Sequence, residues 1–114
     1  MKIHTMKLRT RYFDYIKSGS KRIEVRLNDE KRKEIKIGDE IIFEELTEKP
    51  RYLKTKVVDL YYEDNFCNLL DAYDIKLFAS KKTTKEELLD VLNEIYSIEK
   101  QTKYGVVGIR IEII

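Results

Sequence analysis

The stretch SGSKRIEVRLNDEKRKEIKIGD, residues 18–39, decides how the whole chain is read. Within it Ile23, Val25 and Leu27 alternate with Glu24 and Arg26. That period of two sets apolar side chains on one face of a strand and the charged pair on the other. Gly19 fits the left-handed residue that ends a helix, so Lys21 stands where a helix gives way to the strand. Glu24 and Arg26 then point to the same side, about 7 Å apart along an extended backbone. A Glu–Arg pair on a strand is ordinarily a solvated surface pair that contributes little. Here a third charge, Lys21, can converge on the same space.

Upstream, MKIHTMKL reads as a short strand, and Thr10 as the cap of a helix over RYFDYIKSG with Phe13, Ile16 and Tyr12 on its apolar side. Downstream, a charged turn leads through Ile35 and Ile37 to a Gly38–Asp39 turn and a strand IIFEEL. YLKTKVVDLYYE follows as a longer strand, rich in Val and Tyr. FCNLLDAY reads as a short helix. The spacing predicts a longer helix over residues 84–96, with Thr84 and Glu87 as a capping box and Leu88, Leu89, Val91, Leu92 and Ile95 as its buried stripe. The closing run YGVVGIRIEII is a β-branched interior strand. Strands separated by helices in this order predict an α+β domain, a small and mostly antiparallel β-barrel with flanking helices.

The chain has 114 residues, the size of one domain over 1–114. Charged residues make up 39% of it, but 23 Lys+Arg against 21 Asp+Glu leave a net charge of only +2. Any basic site must therefore be local. One cysteine, Cys67, excludes an internal disulfide and a cysteine zinc cluster, and the single His4 leaves no imidazole pair for a metal. No metal and no cofactor are expected. With no secretory leader and no apolar run near 18 residues, the reading is cytoplasmic, with no membrane partner.

The ordered set G-x-K-x-x-E-x-R (Gly19, Lys21, Glu24, Arg26), I-x-x-G-D-x-I-x-F (residues 35–43) and Y-G-V-V-G-I (residues 104–109) resembles the ASCH domain family, in its small stand-alone bacterial or archaeal type. Residues 62–97 add little to that likeness. The resemblance implies a PUA-like β-barrel with a cleft beside the motif strand, sized for a nucleotide or a stretch of RNA. It implies RNA or a modified nucleoside as partner, bound by Lys21, Glu24 and Arg26. Tyr104, at the mouth of the last matched segment, and His4, near the cleft, are further ligand candidates. Tyr61 and Tyr62 read as packing groups, and Lys31, Arg32 and Lys33 as a solvated loop within reach of a phosphate backbone. A monomer or weak homodimer is expected.

An enzyme is the alternative. Family members that deacetylate N4-acetylcytidine use the motif Lys, a Thr three residues later and a separate acid, and others are ribonucleases. Lys21 matches, but Glu24 stands where the Thr would be, and ASKKTTKEE offers only Glu86 or Glu87 as the separate acid. If the chain were such a hydrolase, Lys21 and Glu24 would be its catalytic pair, with Glu24 moving the proton.

Overall fold

The structure is a computed structural model that describes all residues, Met1–Ile114. Five strands, β1 (Ile3–Leu8), β2 (Ile23–Leu27), β3 (Glu40–Glu45), β4 (Tyr52–Glu63) and β5 (Val106–Ile113), form one sheet in the order β1-β3-β4-β5-β2. β1 runs parallel to β3, and every other pairing is antiparallel. The sheet curls into a half-barrel of the PUA-like α+β kind. β1 and β2 are its two edges, and β4 carries an irregularity between Val57 and Asp59, the kind of bulge that bends a strand.

Helix α1 (Thr10–Ser18) links the two edges. It begins one residue earlier than the sequence reading put it: Arg9 is the N-cap and makes no side-chain cap, while Thr10 is the first helical residue. It ends as expected. Gly19 adopts φ 87° and its N–H bonds the Ile16 carbonyl, a left-handed turn that any Cβ would strain. Phe13 and Ile16 carry the helix into a core with Met6, Leu8, Ile41, Phe43, Val107 and Ile109.

The other face of β2 builds a second core. Ile23, Val25 and Leu27 pack there with Val106, Phe66, Leu69 and Leu70 of α2 (Phe66–Ala72) and Leu88 and Leu92 of α3 (Lys85–Ile95). Thr84 caps α3, accepting from the Glu87 N–H at 3.2 Å, but the Glu87 side chain makes no return bond, so only half of the expected capping box forms. Its stripe is only half buried, however: Ile95 remains 48% exposed. A further helix, α4 (Ile98–Tyr104), escaped the sequence reading because IEKQTKY buries only Gln101 and so shows no apolar stripe. Gln101 ties it down, its Oε1 accepting from the Phe66 N–H and its Nε2 donating to Asn93 and the Tyr96 carbonyl. No helix is long and apolar enough to cross a membrane.

Candidate functional site

The register of β2 against β5 fixes which way its main chain faces. At the two ends of the pairing, the Arg22 carbonyl accepts from Ile111 and the Asn28 N–H donates to Gly105. Antiparallel pairs alternate, so Glu24 and Arg26 exchange main-chain bonds with β5 while the amides of Ile23, Val25 and Leu27 face the open edge. Side chains alternate at right angles to this. The apolar three enter the second core, and Glu24 and Arg26 turn to the opposite side, toward the seam between β2 and β1.

These charges are buried rather than solvated. The Lys21, Glu24 and Arg26 side chains are 3%, 6% and 14% exposed. Lys21 Nζ donates to the Ile23 and Phe78 carbonyls, both at 2.8 Å, and stands 3.1 Å from Glu24 Oε1. An ammonium has three protons, so Lys21 has none left for a ligand. Glu24 Oε2 accepts from Arg26 Nε at 2.9 Å and stands 2.7 Å from Nη2. Arg26 Nη2 also donates to the Lys7 carbonyl at 2.9 Å, which clasps β2 to β1 across the seam. Nη1 donates to no carboxylate or carbonyl, and Tyr96 adjoins the guanidinium as a hydrogen-bonding neighbour.

Electrostatics follow from this packing. Burial pushes the Lys21 ammonium below its ordinary pKa, with Glu24 only partly offsetting it. Burial opposes the Glu24 carboxylate as well, but the Lys21 and Arg26 charges outweigh it and hold the carboxyl below its usual range. For Arg26, burial is likewise overcome by Glu24, and the guanidinium is held more firmly protonated. The trio is thus a fixed, charged unit.

Around it lies a cavity of about 240 Å³. One wall is apolar: Leu88, Val91, Leu92, Ile95 and Tyr96 from the α3 region; Leu8 and Leu46 also line the cavity. The other is cationic, with Lys7 and Arg9 beside Lys21 and Arg26. Four cations against one carboxylate give the cleft a formal charge of +3, more than the +2 of the whole chain. Tyr12 completes the floor, its ring centroid 5.8 Å from Lys21 Nζ.

The structure therefore brings Lys21, Glu24 and Arg26 together but not the two remaining candidates. His4 is engaged with Asp39, its Nε2 2.8 Å from Asp39 Oδ2, in a nearly buried pair outside the cleft lining. That bond and the Lys2 and Lys36 amides hold the Asp39 carboxyl down to about 2. Tyr104 lines a separate cavity of about 630 Å³ between α2, α3 and α4, with Asp64, Asn93 and Lys103. Conversely Lys7, Arg9, Tyr12 and Tyr96 line the cleft without having been singled out. Only the exposure of Ile95 and the half-burial of Val91, on a stripe too wide for a single core contact, signal the wall. No group of three or more His, Cys, Asp or Glu side chains is placed to hold a metal ion.

The sequence model of the ASCH domain matches residues 6–114. The chain belongs to the ASCH family. Among solved structures, the hypothetical protein PH0355 is 39% identical over the whole of both chains, with a TM-score of 0.86. PF0455 from Pyrococcus furiosus, solved by NMR, is 32% identical over all of this chain and 98% of its own, with a TM-score of 0.74. No curated protein matches the chain. Membership in the ASCH family points to RNA-related binding, and every residue that lines the cleft lies within the matched residues.

Proposed function

We propose that this ASCH domain binds a single nucleotide, free or as an unpaired residue of RNA, in the cleft between β1 and β2. The observation that carries this reading is the juxtaposition of the Arg26 guanidinium, whose Nη1 is bound to no carboxylate or carbonyl, with the apolar wall of Val91 and Ile95 in one small cavity. A guanidinium edge suits a phosphate or a base carbonyl, and an apolar face suits the base plane. At about 240 Å³ the cavity lies just below the range usual for drug-sized ligands. One base or nucleoside suits it better than a stacked run. Recognition without hydrolysis is favoured because Lys21 and Glu24 spend their hydrogen-bonding capacity on each other, on Arg26 and on two carbonyls. Such a site belongs with a cytoplasmic protein that meets RNA and nucleotides.

The test is titration with the four nucleoside monophosphates and short single-stranded RNA at several salt concentrations. Arg26→Met should weaken binding about tenfold or more and lower the salt slope by about one. Unchanged affinity in that variant refutes the cleft, and turnover of N4-acetylcytidine at an enzymatic rate, lost in Lys21→Met, refutes the binder.

A further inference from the structure

The open edge of β2 is covered at its start and has no strand partner along its length. A short 3-10 turn over Ile75–Phe78 closes its start: the Arg22 N–H donates to the Leu77 carbonyl, and Lys21 Nζ occupies the Ile23 carbonyl. Beyond that turn Val25 lines the cleft together with Arg26 and the α3 residues Val91 and Ile95. The pairing alternation turns the Val25 N–H and C=O toward that open edge, where β1 supplies no ladder partner.

Resting on the nucleotide reading above, we infer that the Val25 main chain reads the Watson–Crick edge of the bound base, which lies against Val91 and Ile95. One residue of an edge strand offers a donor and an acceptor side by side. Every nucleobase carries an adjacent donor and acceptor on that edge: N6–H and N1 in adenine, N4–H and N3 in cytosine, N3–H and a carbonyl in uracil, N1–H and a carbonyl in guanine. The site therefore accepts any base whose edge is free. It excludes bases that are paired in a duplex or alkylated on that edge, because the strand amide is then left buried and unpartnered. Selection for an unpaired base arises from backbone geometry, and no side chain has to change for it.

Calorimetric titration of the intact protein with matched nucleotides tests this. UMP is compared with its N3-methyl and C5-methyl derivatives, which carry the same added carbon on and off the Watson–Crick edge, and AMP with its N6,N6-dimethyl derivative. The expected result is that C5-methyl-UMP binds like UMP, whereas the N3-methyl and dimethyl compounds bind about tenfold to a hundredfold more weakly. Equal affinity of edge-methylated and parent nucleotides overturns the role of Val25 while leaving the nucleotide reading in place. So does an equal loss for the C5-methyl compound, which would report bulk alone. Binding of neither AMP nor UMP overturns the nucleotide reading itself, and this inference with it.

Discussion

Replacing Glu24 with Gln removes the only anion between two buried cations and changes almost nothing in shape. Lys21 and Arg26 are 3% and 14% exposed, so neither ammonium nor guanidinium can turn to water for compensation without moving the strand. Breaking one partner of a buried ion pair costs about 3–5 kcal/mol because the remaining charge is stranded, and here two charges are stranded. The whole domain has about 5–15 kcal/mol to lose. At roughly 4 °C per kcal/mol for a chain of this size, the melting temperature should fall by roughly 12–20 °C. Circular dichroism melts of the parent, Glu24→Gln, Lys21→Met and the double variant form a cycle. The coupling energy should exceed about 1 kcal/mol, since Lys21→Met also removes one of the stranded charges. A loss below about 1 kcal/mol in Glu24→Gln would mean that the trio behaves like an exposed pair, and the account of a buried, fixed unit would be wrong.

Acid should unfold the domain through three carboxylates. Glu24 is held below its usual range, and Asp39 and Glu45 are each held down to about 2, Asp39 first by the His4 bond and Glu45 first by the Arg51 bond. A depressed carboxyl stabilises the fold above its unfolded pKa near 4–4.5 and loses that stabilisation as pH falls toward about 2. The urea midpoint should therefore drop between about pH 5 and pH 3, and a flat profile would contradict these assignments. Gly108→Ala tests the packing behind the motif strand. A Cβ there would lie 3.2 Å from Ile23 Cγ2 and 3.3 Å from Leu69 Cδ1. Overpacking of this kind costs about 1–3 kcal/mol, read as a lower melting temperature, and a neutral result would show that α2 shifts freely off the sheet.

Read from sequence alone, the motif strand already has its two faces. Alternation is a local property: once 23–27 is extended, Ile23, Val25 and Leu27 must part from Glu24 and Arg26. Gly19 and the Thr84 cap are legible for the same reason, because a left-handed turn and a helix N-terminus each depend on one or two neighbouring residues. The start of α1 and the whole of α4 were less legible, since Arg9 carries no side-chain cap and IEKQTKY no apolar stripe.

Only the tertiary structure decided what the charged face meets. That β2 lies at the sheet edge opposite β1, so that Arg26 reaches the Lys7 carbonyl, depends on the strand order β1-β3-β4-β5-β2 and not on any local pattern. Curling of the sheet, which brings the β1 edge beside β2, turned an ordinary surface pair into a buried one, and desolvation is what makes Glu24 the keystone of Lys21 and Arg26. Parallel pairing of β1 with β3 carried His4 to Asp39, the helices set Tyr104 in another cavity, and long-range packing brought Val91, Ile95 and Tyr96 to the cleft from more than 60 residues away in the chain. Local pattern sets the direction of each side chain, because backbone geometry is local. Which side chains share a space is set by long-range pairing and burial, and no neighbouring residue records it.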